Sequence, residues 1–367
     1  VILTGIRLDN FRNIAAANLN PGRQLTLLYG LNGQGKTNLL EAIYLLGTGR
    51  PFRMAKVPDL IRQGAVKAAI NGQVHTSGVA SEITLELEGK NRRIAVDGKT
   101  INRPAELHGK LASVVFSPDD TTMVKQGPET RRRYLDRSLY SCDAGFLRDY
   151  HDYYRTLKQR NSLLRSGSTS GLDAWTEQLV DAGIRLMQHR AAYLDRLQQL
   201  FQGHYQRIAD GRETVELNYC PDIAAGTDDP RKHFMQQQEQ CRASDLRHGV
   251  TGHGPHRDDL TFLIDGRALK TFGSQGQQRS FVLALKLAEL DHLQQSLGEP
   301  PIMLLDDIVS ELDPERIYNL LSFLRQREVQ VLITTTTTVA IDPGMLQESS
   351  LYRVNAGTLT YEGSVPR

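Results

Sequence analysis

The octapeptide Gly30-Leu31-Asn32-Gly33-Gln34-Gly35-Lys36-Thr37 constrains this chain more than any other stretch. It has the spacing G-x-x-x-x-G-K-[ST], and it stands between segments of different character. Leu25, Leu27, Leu28 and Tyr29 read as a buried strand leading in; Asn38-Leu39-Leu40-Glu41-Ala42-Ile43 reads as a helix leading out. In such a turn the glycines let backbone N–H groups point inward around phosphate oxygens, at a helix N-terminus that already favours anions. Lys36 adds a point charge on the phosphates, and the Thr37 hydroxyl is a Mg²⁺ ligand. A glycine-rich turn can match by chance, but the full octapeptide in strand–loop–helix context predicts a site for a nucleoside triphosphate.

The chain has 367 residues, enough for one large α/β domain with an elaboration, or for two domains. Its 40% hydrophobic and 23% charged content is that of a globular protein with a real core. No apolar run approaches a membrane span, and the N-terminus lacks a signal-peptide pattern. Cys142, Cys220 and Cys241 are odd in number and form no C-x-x-C pair, which predicts a reducing, cytoplasmic location without a disulfide or zinc framework. With a formal net charge of +2, any nucleic-acid footprint must be local.

Three stretches follow one another. Residues 1–118 read as a β-rich lobe around the phosphate loop, with alternation at Ile83, Leu85, Leu87, Ile94 and Val96 and turn signals at Gly89 and Asp97-Gly98. Residues 119–245 read as helical. One apolar stripe runs Phe146, Tyr150, Tyr153, Leu157, Leu164, and a second runs Trp175, Leu179, Ala182, Leu186, Tyr193, Leu197, Leu200. The small-residue break Ser166–Gly171 between them suggests an antiparallel helical hairpin. Residues 246–367 return to strand–helix alternation, with buried parallel strands expected over 302–305 and 329–333, a helix over 314–324 and a closing hairpin around Ala356-Gly357.

Two downstream motifs bear on the kind of nucleotide site. The apolar strand Ile302-Met303-Leu304-Leu305 ends in Asp306-Asp307; Asp306 is placed to hold a Mg²⁺ shell and Asp307 to orient or deprotonate an attacking water. Paired acids can also simply end a strand as a solvated turn. Their distance from Lys36 in sequence is too long for a compact G-protein-like domain, so something is inserted between the halves. Ser274-Gln275-Gly276-Gln277-Gln278 opens a strongly apolar helix and forms either an anion site at a buried helix start or an ordinary N-cap.

Taken together these motifs are similar to those of ABC-type ATPases. Ser274 to Gln278 resembles the signature motif, and Ser310-Glu311-Leu312-Asp313 resembles the D-loop. More specifically, the chain resembles the RecF family of bacterial recombination and gap-repair ATPases, which are related to SMC proteins. The segments carrying this resemblance are Leu8-Asp9-Asn10-Phe11-Arg12-Asn13, the phosphate loop, Gly47-Thr48-Gly49-Arg50-Pro51-Phe52-Arg53, Gly127 to Asp136, Lys158-Gln159-Arg160-Asn161, Gly254-Pro255-His256-Arg257-Asp258-Asp259, Ser274 to Arg279 and Leu304 to Asp313. The resemblance implies an α/β fold: an ABC-type head of two lobes with an inserted helical domain, into which residues 119–245 fit. It implies ATP and Mg²⁺ as cofactors, with Ser274, Gly276 and Gln277 contacting the γ-phosphate of ATP on a second subunit. It further implies slow, DNA-stimulated ATP hydrolysis, an ATP-dependent homodimer on gapped DNA, RecR and RecO as partners, recombinase loading, and a nucleoid-associated location.

The chain departs from the wider ABC pattern at three places. Asp307 stands where most have Glu, no glutamine lies near Ser117-Pro118-Asp119-Asp120, and threonines, Thr335 or Thr336, follow the last core strand in place of a histidine. Arg131-Arg132-Arg133 is a candidate DNA patch, continued by Arg148, Arg155, Lys158, Arg160 and Arg165, although a solvated charged helix face gives the same pattern. His248, His253, His256, Asp258 and Asp259 match no zinc template and read as a structural loop. Arg12 reads either as a nucleotide contact or as a surface ion pair. Two other function classes share part of this pattern: the ATPase subunit of an ABC transporter, for which the signature departs from LSGGQ and the helical arm is long, and an SMC-type structural chromosome head, which needs far longer heptad runs.

Overall fold

The computed structural model describes residues 1–363 apart from Met54, Asn102, Arg103, Asp210, Arg212, residues 225–228 and Ala340. The chain divides into two units: residues 1–121 together with 286–367, and residues 122–285.

The first unit is built on two six-stranded sheets. One is antiparallel, in the order β2-β1-β4-β5-β6-β7, from β1 (Ile2–Phe11), β2 (Ile14–Leu19), β4 (Lys67–Thr76), β5 (Val79–Glu88), β6 (Asn91–Val96) and β7 (Lys99–Ile101). Its strands alternate as a one-sided sheet requires: Ile83, Leu85 and Leu87 are buried while Glu82, Glu86 and Glu88 face water. The other has the order β15-β14-β3-β13-β12-β8, from β3 (Leu25–Tyr29), β8 (Ser113–Phe116), β12 (Ile302–Leu305), β13 (Val331–Thr335), β14 (Ser350–Asn355) and β15 (Thr358–Gly363). All its pairings are parallel except β14 with β15. Parallel strands are covered on both faces, so β8, β12 and β13 are buried along their whole length and are mostly apolar, with Ser113, Thr334 and Thr335 as their buried polar residues. Helix α1 (Lys36–Thr48) follows β3 and buries Leu39, Leu40, Ile43 and Leu46. Short helices α2 (Val57–Leu60), α3 (Pro118–Thr122), α10 (Ile308–Glu311) and α12 (Pro343–Gln347) and the longer α11 (Pro314–Gln326) complete the unit. Asp313 starts α11, its carboxylate accepting the Arg316 N–H at 3.0 Å ahead of a first-turn proline.

The second unit holds α4 (Pro128–Cys142), α5 (Ala144–Ser166), α6 (Leu172–Ile208), α7 (Pro230–His248), α8 (Leu269–Phe272) and the first half of α9 (Gln275–Leu297). Asp143 caps α5 by accepting the Gly145 and Phe146 N–H groups, and Gly167, at φ 68°, ends it in the left-handed conformation. After this short break α6 packs back on α5, burying Leu179, Ala182, Leu186, Tyr193 and Leu197 of the expected stripe. The unit's limits differ from the 119–245 boundaries expected from sequence. It extends to residue 285 and includes a three-stranded sheet, β11-β10-β9, from β9 (Val215–Cys220), β10 (Asp259–Ile264) and β11 (Arg267–Ala268). Val215-Glu216-Leu217-Asn218 carries a period-two pattern too short to stand out beside a 37-residue helix.

Buried ion pairs lock the second unit. Arg190 is fully buried, bonding Asp136 at 2.8 Å, Asp258 at 2.7 Å and the Pro255 carbonyl at 2.7 Å. Arg160 reaches Asp245 at 2.8 Å and Thr251 at 2.7 Å. His256 accepts the Tyr153 hydroxyl on Nδ1 (2.6 Å) and donates from Nε2 to the Thr251 carbonyl (3.0 Å). Burial pushes its pKa down to about 4, so it is the neutral tautomer at pH 7. The glycine-rich histidine loop is thus a knot of packing and hydrogen bonds. Among the described residues no helix is long and apolar enough to cross a membrane.

Candidate functional site

The phosphate loop leaves β3 at Tyr29 and is fixed from three directions. The Gly30 N–H donates to the Thr335 carbonyl at 3.2 Å, tying the loop to β13. Gly30 has φ 153°, and a Cβ there would lie 2.3 Å from the Val354 carbonyl oxygen, so β14 leaves room for glycine alone. On one flank the Asn13 amide donates to the Gly33 carbonyl at 3.3 Å and accepts from Asn38 at 2.8 Å. On the other, the β14–β15 turn grips Gln34: the Ala356 N–H donates to its side-chain oxygen (2.6 Å) and the Gly357 N–H to its backbone carbonyl (2.8 Å).

Lys36, the first residue of α1, curls back over the loop. Its Nζ donates to the Gly30 carbonyl (2.6 Å) and the Leu31 carbonyl (2.8 Å). Burial lowers its pKa, and the carboxylates of Asp307 and Asp306 oppose that shift. Thr37 donates its hydroxyl to Asp306 Oδ1 at 2.8 Å, so the start of α1 and the end of β12 meet despite their separation in sequence.

A residue that the motif reading missed completes this contact. Thr334 on β13 donates its hydroxyl to Asp306 Oδ1 (2.7 Å) and accepts the backbone N–H of Asp307 (2.9 Å). Thr334 is distinct from Thr335 and Thr336, the threonines read from sequence in place of a histidine. Strand register carries the signal: Leu305 pairs with Ile333, which sets Asp306 level with Thr334. Arg53 pairs with that carboxylate, 3.6 Å from Asp306 Oδ2. Burial raises the Asp306 pKa, while the Thr334 and Thr37 hydrogen bonds and Arg53 pull it down. Asp307 follows in a left-handed conformation (φ 50°, ψ 40°), and its buried Oδ1 has no hydrogen-bond partner among the described residues.

Both implied ligands fit this donor set. A hydroxyl and a carboxylate from Thr37 and Asp306 are hard oxygen donors suited to Mg²⁺, and the orphaned Asp307 oxygen is a buried acceptor waiting for a donor. Arg12 is engaged elsewhere in this structure. It forks onto the fully buried Glu41 at 2.9 and 3.1 Å and donates to the Asp59 carbonyl, so a nucleotide contact would require it to leave that fork.

The signature segment is in the second unit. Ser274 Oγ accepts the Gln277 N–H at 3.1 Å and Gln277 Oε1 accepts the Ser274 N–H at 2.7 Å, a reciprocal capping box at the head of α9. Ser274 is nevertheless exposed. A Cβ at Gly276 would meet nothing nearer than 3.9 Å, so the chain's own packing does not demand glycine there.

The Arg131-Arg132-Arg133 patch requires a correction. Consecutive helical residues point in different directions, and these three do not share a surface. Arg131 is buried and forks onto Asp259 at 2.7 and 2.8 Å, Arg132 donates to the Asp258 carbonyl, and only Arg133 is exposed, paired with Glu129 at 3.0 Å. Arg160, once grouped with the same basic run, is likewise buried.

A phosphate loop and a double-aspartate strand meeting across a parallel sheet, with a signature segment on a second unit, define an ABC-type ATPase head related to the SMC proteins. The SMC head from Pyrococcus furiosus has this fold, with a TM-score of 0.54 at 14% identity over 98% of this chain and 95% of that one. The family described as the RecF/RecN/SMC N terminal domain matches residues 2–358. The DNA replication and repair protein RecF of Trichlorobacter lovleyi is 60% identical over 99% of each chain, and that of Geobacter metallireducens is 46% identical over 98% of this chain and 100% of that one. A solved structure of the recombination mediator protein RecF with ATP in the RecFOR pathway matches with a TM-score of 0.90 and 32% identity, covering 98% of this chain and 97% of that one. The chain belongs to the RecF family.

Proposed function

We propose that this chain is an ATP-dependent, DNA-binding recombination mediator that dimerises on ATP, binds DNA at single-strand gaps and helps load a recombinase. The observation that carries the reading is the Thr37–Asp306–Thr334–Asp307 constellation beside a formed phosphate loop, in a chain of this family. Loop N–H groups and Lys36 bind the phosphates, and Lys36 exchanges its two carbonyl partners for phosphate oxygens. Thr37 and Asp306 hold Mg²⁺, which when bound neutralises phosphate charge. Asp307 accepts a hydrogen bond from the attacking water and takes its proton. Aspartate is one methylene shorter than the glutamate of most ABC ATPases, which favours slow turnover; stimulation of that turnover by DNA belongs to the same proposal.

The exposed Ser274 and the open space over Gly276 support a signature that acts on the ATP of a second copy. Ser274 and Gln277 then exchange some of their capping bonds for the partner's phosphate. RecR and RecO are the proposed partners, from the RecFOR pathway in which the ATP-bound relative is described, and the nucleoid is the proposed location.

Sedimentation with and without ATP, repeated with gapped DNA, tests the reading. The wild type should dimerise on ATP, Lys36→Ala should neither bind ATP nor dimerise, and Asp307→Asn should accumulate long-lived dimers that release DNA slowly. A monomer unchanged by ATP, or an Asp307→Asn protein with normal turnover, would overturn it.

A further inference from the structure

With Arg160 turned inward, the remaining cations of α5 fall on one line. On α5, positions 148, 151, 155, 158, 162 and 165 recur every three or four residues, opposite the face that buries Phe146, Tyr153, Leu157, Arg160 and Leu164. They are Arg, His, Arg, Lys, Ser and Arg, all exposed. The two acids of α5 offset part of this line: Asp149, buried against Arg185 and His189, lies 3.8 Å from Arg148, and Asp152 sits at the edge of the line, 3.1 Å from Arg155, so phosphate would compete with these two carboxylates for Arg148 and Arg155. Arg148 and Arg155 keep side-chain exposures of 76% and 68%. Arg165 lies across Gly249, which brings the exposed Arg247 and His248 of α7 to the same end. From 148 to 165 the helix rises about 25 Å, most of one turn of duplex DNA.

We propose that this face of α5 is a track for the phosphate backbone of duplex DNA, with Arg148, Arg155, Lys158 and Arg165 as the contacts. The inference rests on the DNA-binding reading above and gives it a location. The line contains no apolar anchor, whereas a protein partner needs a desolvated apolar centre and a membrane surface needs an apolar face to insert. Separated point charges without base-reading side chains give sequence-independent binding by counterion release.

Four neutralised phosphates contribute about 3.6 to the slope of log K against log salt, about 150-fold in affinity between 50 and 200 mM. The test is fluorescence anisotropy of a labelled duplex with ATP and Mg²⁺ across that salt range. It compares wild type, the quadruple variant Arg148→Gln, Arg155→Gln, Lys158→Gln, Arg165→Gln, and a charge-preserving variant Arg148→Lys, Arg155→Lys, Arg165→Lys. Circular dichroism and ATP binding check that each protein is folded. The glutamine variant should lose about 3–4 from the slope while the lysine variant keeps it. A folded glutamine variant with the wild-type slope would overturn the track and leave DNA binding standing, as would a lysine variant as defective as the glutamine one. A wild type that binds no duplex under ATP would overturn both.

Discussion

Replacing Thr334 by valine keeps the shape of a fully buried side chain and deletes one hydroxyl. That hydroxyl donates to Asp306 Oδ1 and accepts the Asp307 N–H, so two groups lose a partner in a place water does not reach. A hydrogen bond to a charged acceptor contributes about 1.5–3 kcal/mol, and a buried N–H left unsatisfied costs about 1–3 kcal/mol. Together these predict a loss of about 3–5 kcal/mol from the first unit. For a unit of this size each kcal/mol moves the midpoint about 2–4 °C, so its thermal transition should fall by roughly 6–20 °C. The Thr334 bond is also one of those pulling the Asp306 pKa down, so the valine variant should carry an Asp306 that titrates still higher. Calorimetry gives the first readout. The second is nucleotide affinity, which should weaken in Mg²⁺ and hold in EDTA. Thr334→Ser, which keeps the hydroxyl and loses a methyl, should stay within about 1–1.5 kcal/mol of wild type. A valine variant as stable as wild type, or a serine variant less stable than valine, would refute the bridging role.

Asp306→Asn retains an acceptor for Thr37 and Thr334 and removes a desolvated charge. Because burial raises the native Asp306 pKa, the aspartate costs nothing when protonated, and its penalty grows as pH rises from the ordinary carboxylate range through the raised value. The asparagine protein should therefore melt higher than wild type at pH 7, with the gap closing on acidification, while losing Mg²⁺-dependent ATP binding; equal melting at all pH values would contradict this. Ser274→Arg should bind ATP normally but sediment as a monomer, and normal ATP-dependent dimers would exclude a signature acting in trans. Arg160→Met should strand the buried Asp245 carboxylate and cost about 3–5 kcal/mol, with Asp245→Leu in the same chain recovering most of it; a double variant no better than the single would show that the pair is not the cause.

Much of the nucleotide site was legible because its motifs are local: a strand that ends in glycine, a lysine one step into a helix, an apolar strand that ends in two acids. Thr334 was hidden because its role comes from parallel register, which joins residues far apart in sequence. The clamp on Gln34 was hidden for the same reason, since nothing near Ala356-Gly357 advertises a distant loop as its acceptor. The basic run misled through its density. A triplet of arginines looks like a patch in one dimension, but the helix spreads it, whereas cations spaced by three and four residues stay aligned. Strand β9 was lost because six alternating residues compete poorly with the long helical stripe before them.

The order of strands β14-β3-β13 has a consequence for the nascent chain. β3 and its phosphate loop leave the ribosome long before β13 and β14, the two lateral partners of β3. At about 5–20 residues per second, the roughly 300 residues between β3 and β13 take some 15–60 s to synthesise. Throughout that interval β3 has two open edges, and the carbonyl that anchors Gly30 and the turn that grips Gln34 do not yet exist. Nucleotide capacity therefore arrives abruptly, when the last hairpin docks, and a ribosome stalled before residue 330 carries the complete phosphate-loop motif with no frame to hold it.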